Sequence, residues 1–184
     1  MNTTHTPVAI NGTRQFLEPD KIFDQIGLRE GENVADFGTG AGHFALEAAR
    51  RVGKTGLVCA LDILPQALES VESQAAMENR DNLVTQQVSL ENENGSGLDD
   101  ASQDFVVAKD MLFMNQGKDK ILREIVRVLR PEGRVFIAEW NEKTDHTLGP
   151  PPENRVSEEE LQKLCSEAGL EKKQDVDVGD YHYG

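Results

Sequence analysis

Residues 33–42, with the sequence Asn-Val-Ala-Asp-Phe-Gly-Thr-Gly-Ala-Gly, constrain the fold of this chain more than any other segment. The apolar part, residues 34–37, is typical of a short buried strand, and glycines follow it at positions 38, 40 and 42. A glycine at every second residue indicates a turn where the backbone needs room that a Cβ would fill. Between a strand and a helix, such a turn predicts that a nucleotide-like ligand lies against the main chain.

An acidic residue follows at the distance expected for such a site. Asp62 ends the next apolar run, residues 57–61, and lies twenty residues after Gly42. A carboxylate at the end of a second parallel strand is placed to accept hydrogen bonds from the hydroxyls of a ribose. The alternative is a glycine-rich turn with a purely structural role in another α/β protein, and the position of Asp62 disfavours it.

The spacing of the glycines narrows the choice of nucleotide. Dinucleotide-binding turns have the pattern G-x-G-x-x-G, whereas the residue three positions after Gly40 is His43. The missing glycine is the one that brings the helix close to the strand and places a pyrophosphate at the helix N-terminus. The spacing therefore argues against NAD or FAD and favours a ligand without phosphates.

The run Asp-Phe-Gly-Thr-Gly-Ala-Gly, followed by Ala-Leu-Asp at 60–62, resembles motif I and the next acidic loop of the class I S-adenosylmethionine (SAM) dependent methyltransferases. The resemblance extends over nearly the whole chain from Phe16 onward. The branch that it resembles most is that of small bacterial methyltransferases related to the ubiquinone and menaquinone methylating enzymes. It implies SAM as the cofactor and S-adenosylhomocysteine as the product.

The resemblance also assigns positions in the cofactor site. In the family, residues at these positions border the methionine part, the ribose or the adenine of SAM. Many relatives have an aspartate near the adenine amino group where this chain has Ser89, which carries no charge. The cofactor-binding residues implied are Asp36, Gly38, Gly40, Gly42, Asp62, Ile63, Ser89, Leu90 and Lys109.

Apolar runs alternate with helical patterns along the chain, which is typical of parallel strands joined by crossover helices. Strands are predicted at 34–37, 57–61, 83–90, 104–108 and 134–140, and helices after Pro19, Gly42, Pro65, before Pro131 and after Ser157. The resemblance implies an α/β, Rossmann-like doubly wound sheet with strand order 3-2-1-4-5-7-6. Because the chain stops at 181–184, the seventh strand is expected to be truncated or missing.

The expected domain organisation is simple. Residues 1–15 are predicted to be a flexible N-terminal segment, and residues 16–184 a single SAM-dependent methyltransferase domain.

Residues 123–134 resemble the family pattern R-E-x-x-R-V-L-x-P-G-G that precedes the fifth strand. The segment combines a helix with charged pairs, a proline that ends the helix and a glycine turn. These features indicate a structural role.

Charge and composition exclude several functions. The net charge is −14 and the basic residues are scattered, which disfavours nucleic acid as a partner. No apolar run has the length of a signal peptide or a membrane span, so we expect a cytoplasmic protein without membrane insertion. The two cysteines, Cys59 and Cys165, form neither a metal cluster nor a disulfide framework, and we expect no metal site. The oligomeric state stays open.

The methyl acceptor is less constrained than the cofactor. Family members that methylate arsenite need several cysteines, and DNA methyltransferases acting on amino groups carry Asn- or Asp-Pro-Pro-Tyr after strand four, where this chain has Ala-Lys-Asp-Met at 108–111. A small organic molecule is therefore the expected acceptor. The apolar residues 111–114 are predicted to be either a pocket wall for it or part of the core.

Three residues are candidates for a catalytic role, because they follow the strand ends where an α/β sheet has its cleft: Asp110, His146 and Arg155. Asp110 has the alternative of capping a short helix that begins at Met111. His146 has the alternative of being a solvent-exposed loop residue without a partner. A dedicated base is optional, since a sulfonium methyl group is already activated and transfer needs mainly alignment and exclusion of water.

The leading hypothesis is thus a SAM-dependent methyltransferase that acts on a small molecule by proximity and orientation. A second hypothesis is a SAM-binding module of the same fold without turnover, based on Ser89 and the short C-terminus. A third is a nicotinamide-dependent oxidoreductase, which the glycine spacing disfavours.

Overall fold

The structure is a computed structural model that describes residues 17–144 and 148–184. The helices are α1 (Pro19–Ile26), α2 (His43–Val52), α3 (Pro65–Met77), α4 (Lys118–Val128) and α5 (Glu158–Ala168). The strands are β1 (Val34–Phe37), β2 (Val58–Asp62), β3 (Leu83–Gln87), β4 (Gln103–Lys109), β5 (Leu129–Trp140) and β6 (His182–Tyr183). The predicted flexible segment, residues 1–15, lies outside the described residues. No helix in the described ranges combines the length and the apolar character needed to cross a membrane.

The strands form one sheet in the order β3-β2-β1-β4-β5-β6. The first five are parallel, and β6 pairs with β5 in the antiparallel direction. This order confirms the Rossmann-like α/β sheet. Within the described residues the sheet has six strands and no seventh, and residues 170–180 form no strand. The antiparallel strand beside β5 is only two residues long.

Local signals explain where the first helices and strands begin and end. Pro19 occupies the first position of α1, where its missing N–H costs nothing, and Gly27 ends the helix with φ 65°. Every residue of β1 and β2 is buried, as expected for central strands covered by helices on both faces. Ser157 caps α5 by accepting a hydrogen bond from the Glu160 N–H at 3.1 Å.

The core lies on both faces of the sheet. On one face α1, α2 and α3 cover an aromatic group in which Phe23 meets Phe44 and Phe105 edge to face, and Phe44 stacks on Phe136. On the other face α4 and α5 cover Phe37 and Leu61. Burial on both sides holds the parallel strands in register and leaves only their C-terminal ends free to form a site.

The prediction for β3 was too long. The strand was expected over residues 83–90 but ends at Gln87. Its neighbour β2 ends at Asp62, whose carbonyl accepts from the Val88 N–H at 2.9 Å, and beyond that point no backbone is left to pair with. Ser89 and Leu90 therefore lie in a loop at the open end of the sheet.

The helix motif before β5 holds a loop in place. Glu124 is 5% exposed, and its Oε1 accepts from the Ser96 N–H at 2.9 Å and pairs with Arg127 at 2.7 Å. Arg127 also donates to the Leu98 carbonyl at 2.8 Å. Hydrogen bonds from Arg127 and Ser96 outweigh the effect of burial and hold the pKa of Glu124 below its usual range. These contacts support the structural role inferred for this segment.

Strand β5 starts earlier than predicted and contains a bulge. It begins at Leu129 rather than at Arg134, and its register against β4 shifts between Gln103 and Phe105. The shift accommodates Glu132, which has φ 66°. The family pattern has glycine at this position, because a left-handed backbone costs other residues about 1–2 kcal/mol.

We expect Glu132→Gly to raise the free energy of unfolding by about 0.5–1 kcal/mol, the strain relieved less the entropy that glycine loses on folding. Urea unfolding of both proteins measures the difference. Glu78→Gly is the matched control, since this exposed glutamate has φ −91° and should gain nothing. Equal changes in the two variants, or a loss of stability at position 132, would contradict the prediction.

Candidate cofactor and acceptor site

A cleft of about 1320 Å³ opens at the C-terminal end of the parallel strands. Each strand contributes the residues at or just beyond its end, and the start of α1 forms one rim. This is where an α/β sheet with a change in strand order binds its ligands. Among the predicted site residues, those that line the cleft are Asp36, Gly38, Gly40, Asp62, Ile63, Ser89, Leu90, Lys109 and Asp110.

The three glycines of the turn have different surroundings. All have positive φ, at 73°, 51° and 79° for Gly38, Gly40 and Gly42. A Cβ on Gly42 would lie 2.5 Å from Val71 Cγ2 of α3, and one on Gly38 would lie 3.2 Å from the Met111 Cβ. A Cβ on Gly40 would meet no atom closer than 4.0 Å. Gly42 is thus needed for helix packing, whereas the space beside Gly40 is open cleft.

Asp36 lies beneath the turn at the end of β1. It is 3% exposed, and its Oδ2 accepts a hydrogen bond from the Thr39 hydroxyl at 2.7 Å. Burial raises the pKa of Asp36 to about 6, although the hydrogen bond from Thr39 acts in the opposite direction. The cleft therefore contains a buried acidic group that attracts positive charge near neutral pH, and the Lys109 ammonium lowers its pKa.

Asp62 connects the turn to the next helix. Its Oδ2 accepts from the Gly40 N–H and its Oδ1 from the Leu64 N–H, both at 2.9 Å. A carboxylate has about four acceptor positions, so two bonds leave capacity for ligand hydroxyls. Beside it, Ile63 and Leu64 are 60% and 58% exposed, although they are large and apolar. Ile63 and Leu64 therefore offer exposed apolar surface next to the Asp62 carboxylate.

The loop after β3 closes the cleft on the adenine side that the family resemblance implies. Ser89 is half-buried and lines the cleft, and Leu90 is 8% exposed and also packs into the core. Glu91, next in the chain, accepts from the Gly117 N–H at 2.7 Å, which ties this loop to the start of α4. Ser89 and Leu90 stay predicted cofactor residues, now placed on one wall with Ile63.

Lys109, Asp110 and His182 form a polar cluster at the C-terminal end of β4. Lys109 forms an ion pair with Asp110, and His182 Nε2 lies 3.0 Å from Asp110 Oδ1 and 3.2 Å from Oδ2. Asp110 has φ 52°, a conformation that non-glycine residues seldom adopt. The ring centroids of His182 and Trp140 are 4.3 Å apart. Lys109, Asp110, Trp140 and His182 all line the cleft.

The alternative role of Asp110 as a helix cap is wrong. Residues 112–114 form a turn, and α4 begins only at Lys118. The carboxylate that caps this turn is Glu139, whose Oε1 accepts from the N–H groups of Met111 and Leu112 at 3.0 and 2.7 Å. The side chain of Asp110 is thereby left to contact Lys109 and His182.

Glu139 is fully buried at the end of β5. Its Oε2 has no hydrogen-bond partner within the described part of the chain. Burial raises the pKa of Glu139 to about 7, and the nearby charge of Asp110 acts in the same direction. A carboxyl group with a pKa near neutral therefore lies close to Asp110, which lines the cleft.

Of the other two candidate catalytic residues, Arg155 is not part of this cluster. Arg155 is 7% exposed, does not line the cleft, and donates to the carbonyls of Asn141, Leu148 and Pro150 at 2.7–2.9 Å. It holds the loop after β5, and its guanidinium lies 5.8 Å from the centre of the Trp140 ring. His146 lies outside the described residues.

The apolar residues 111–114 divide between core and cleft. Leu112 is fully buried in the core, whereas Met111, at 4% exposure, and Met114, at 66%, both line the cleft. Thr39 and His182 were not among the predicted site residues. Thr39 lies inside the glycine turn and donates a hydrogen bond to Asp36, three residues earlier in the chain, so its place follows from the local sequence. His182 reaches the site only through the antiparallel pairing of β6 with β5.

Comparisons with known proteins identify the family of this chain. The family model described as "Methyltransferase domain" matches residues 28–178. The ubiquinone/menaquinone biosynthesis C-methyltransferase of Hydrogenovibrio crunogenus is 31% identical over 126 residues, which are 66% of this chain and 47% of that protein. An arsenite methyltransferase of Halobacterium salinarum is 29% identical over 112 residues, 61% of this chain and 28% of that protein. The chain thus spans less than half the length of these two relatives.

A solved structure covers more of the chain. The crystal structure of a SAM-dependent methyltransferase from Aquifex aeolicus superimposes with a TM-score of 0.82 at 28% sequence identity, and the match covers 91% of this chain and 87% of that one. The family match, the order of the strands and the composition of the cleft lead to the same conclusion. The chain belongs to the methyltransferase domain family, within the class I SAM-dependent methyltransferases that its glycine turn resembles.

Proposed function

We propose that this protein transfers a methyl group from SAM to a small organic acceptor and releases S-adenosylhomocysteine. The observation that carries the proposal is the open space beside Gly40, flanked by Asp62 and the exposed pair Ile63 and Leu64. When bound, SAM supplies a methyl group that is already activated by its sulfonium. The task of the chain is then to hold the donor, align the acceptor and exclude water.

The residues of the cleft fit SAM. The free acceptor positions of Asp62 suit the hydroxyls of a ribose, and Ile63 and Leu64 offer apolar surface for an adenine. The buried carboxylate of Asp36 suits the positively charged methionine end, and Lys109 is a cation for its carboxylate. Donor atoms, apolar surface and charge therefore match the three parts of SAM in the order that the family resemblance implies.

The cleft has room for a second molecule. Its volume of about 1320 Å³ exceeds the roughly 300–1,000 Å³ of sites for one drug-sized ligand. Beyond Lys109 the wall is formed by Met114, Asn115, Trp140 and His182, a mixture of apolar and polar groups. This wall suits an acceptor with an aromatic or otherwise apolar body, which methionine and tryptophan accommodate well.

Two other acceptor classes are disfavoured. Neither of the two cysteines in the sequence lines the cleft: Cys59 is buried in β2, and burial raises the pKa of half-buried Cys165 on α5 to about 11. Thiolates that could hold arsenic are therefore lacking, although one relative is an arsenite methyltransferase. A nucleic acid acceptor is disfavoured because its phosphates would be repelled by a chain with a net charge of −14.

The cytoplasmic location stays a prediction from the sequence.

Titration calorimetry and thermal unfolding test the donor site directly. We expect SAM and S-adenosylhomocysteine to bind and to raise the melting temperature, because a ligand that binds only the folded state stabilises it. NAD is the control, and it should produce no shift at the same concentration. Absence of heat and of a thermal shift at about millimolar SAM would remove the basis of the proposal. Stronger binding of NAD would favour the oxidoreductase alternative.

Turnover separates an enzyme from a SAM-binding module without activity. The protein is incubated with methyl-labelled SAM and a small-molecule extract, and transfer of label is measured by mass spectrometry. We expect labelled products and an equal amount of S-adenosylhomocysteine. Tight SAM binding without either product would support the binding module.

A further inference from the structure

His182, Asp110 and Trp140 line the cleft in an arrangement that offers an acceptor more than a contact surface. The two polar residues are 72 positions apart in the sequence and meet only because β6 returns beside β5. The side chain of His182 is 4% exposed and that of Asp110 is 14% exposed. Both nevertheless line the cleft, so a ligand of suitable shape reaches them.

We propose that His182, oriented by Asp110, accepts the proton of the acceptor's nucleophile, and that the acceptor is therefore a phenol or thiol. This inference rests on the proposed function and names the substrate class of the same site. An acceptor that carries no ionisable proton would need no such base, and alignment alone would suffice for it.

The contacts of the imidazole ring define which nitrogen is free. Nε2 faces the Asp110 carboxylate, which can only accept, so Nε2 carries the hydrogen. Nδ1 is then the unprotonated nitrogen of the neutral ring and is available for a proton. Tilted packing against Trp140, with 4.3 Å between ring centroids and 39° between planes, limits rotation of the ring. A carboxylate that fixes the tautomer and an aromatic ring that fixes the plane are what a positioned base requires.

Two carboxyl groups and two cations lie around His182. Asp110 is in direct contact, and Glu139 lies behind it on β5. Lys109 pairs with Asp110, and Arg155 lies on the Trp140 ring, so two cations balance these carboxylates. The imidazolium formed on proton transfer would be paired with Asp110 in a water-poor site, where such a pair is stronger than in solution.

The step balances without another reactant. The nucleophilic oxygen or sulfur of the acceptor forms a bond to the methyl carbon, and the bond between that carbon and the sulfonium sulfur breaks. The electron pair of the broken bond stays on sulfur, which becomes a neutral thioether. The proton of the acceptor passes to Nδ1 of His182 and is later released to water.

Histidine NMR tests the orientation of the base without any acceptor. The sequence contains four histidines, so the spectrum of a ¹⁵N-histidine-labelled sample is assigned to His182 by comparison with His182→Gln. We expect the Nε2–H tautomer in the full chain and a loss of this preference in Asp110→Asn. Asp81→Asn, which changes an exposed carboxylate away from the cleft, should leave the tautomer unchanged. An Nδ1–H tautomer, or no effect of Asp110→Asn, would overturn the proposal.

A pair of probe acceptors tests the chemical role. Phenol is almost fully protonated at pH 7.5, whereas an electron-poor aromatic thiol is already ionised. We expect His182→Gln to lower the rate of phenol methylation by more than about 100-fold and that of the thiol by less than about tenfold. The loss for phenol should appear in kcat, and SAM binding should be unchanged. Equal losses for both probes would show a structural role and overturn the assignment.

The outcomes distinguish this inference from the proposed function. If the wild-type protein does not bind SAM, the proposed function fails with it. If the protein binds SAM and methylates neither probe, the donor site stands and the proposed acceptor class is wrong. His182→Asn serves as a second variant should His182→Gln unfold, and circular dichroism checks that both retain the fold.

Discussion

Gly40→Val is expected to reduce the affinity for SAM at least about 100-fold, a loss of about 2.7 kcal/mol or more in binding free energy. The reason is steric, because a Cβ at this position projects into open cleft, and the nearest atom of another part of the turn, the Gly38 carbonyl oxygen, is 4.0 Å away. The methyl groups of valine would occupy the space in which the ligand approaches the backbone. Titration calorimetry measures the loss, and thermal unfolding shows whether the variant is folded.

The matched control for this prediction is Gly27→Val. Gly27 has φ 65°, close to the 51° of Gly40, and a Cβ there also meets nothing within 4 Å. Gly27 ends α1 and does not line the cleft. Both variants should lose about 1–2 kcal/mol of stability through the left-handed backbone, but only Gly40→Val should lose SAM binding. Normal SAM affinity in Gly40→Val would mean that this turn does not approach the ligand.

Glu139→Gln is expected to stabilise the fold at pH 8 and to have little effect at pH 5. Burial raises the pKa of Glu139 from its ordinary 4.5 to about 7, and one carboxylate oxygen has no hydrogen-bond partner in the described residues. Above pH 7 the folded protein therefore holds a buried, incompletely paired charge. Glutamine keeps an oxygen for the N–H groups of Met111 and Leu112 and removes that charge.

The direction of the pH dependence follows from proton linkage. Because the folded state binds this proton more tightly than the unfolded state, its stabilising effect is complete below about pH 4.5 and is lost as pH rises through 7. The shift corresponds to about 3 kcal/mol. We expect the stability difference between Glu139→Gln and the wild type to grow by roughly that amount between pH 5 and pH 8. Asp36, whose pKa is also raised, contributes equally to both proteins and cancels in the difference.

Urea unfolding at several pH values measures this difference. Glu142→Gln is the control, because that glutamate is exposed and lies three residues further along the chain. Its stability difference from the wild type should be independent of pH. A pH-independent difference for Glu139→Gln as well would show that the carboxyl group is ionised in the folded protein without cost.

The glycine turn illustrates how far local pattern reaches. The strand at 34–37, the turn and the start of α2 were predicted correctly, since apolar runs and positive φ are properties of a few adjacent residues. The sequence did not predict that Gly42 is needed for helix packing while the space beside Gly40 is open. The reason is that a Cβ on Gly42 would clash with Val71, which lies on another helix. The end of β3 was misplaced for a similar reason, since it depends on where β2 ends.

The cluster of Asp110, His182 and Glu139 was the least predictable part of the site. Asp110 was singled out from its place after β4, but its partner His182 is distant in sequence and adjacent only through β6. Glu139 lies within the predicted strand 134–140, but its hydrogen bonds to the turn at Met111 bridge two neighbouring strands. Such contacts depend on strand pairing, which a one-dimensional pattern does not contain.

The sequence by itself determined the α/β fold, the glycine turn and the acid at Asp62, because these rest on periodicity, backbone freedom and spacing within one β-α-β unit. The tertiary structure alone decided which glycine has open cleft beside it, which carboxylate caps the turn after β4 and which histidine faces Asp110. The physical reason is that packing and hydrogen bonding between distant segments assign each side chain its neighbours, and those neighbours set its charge and its role.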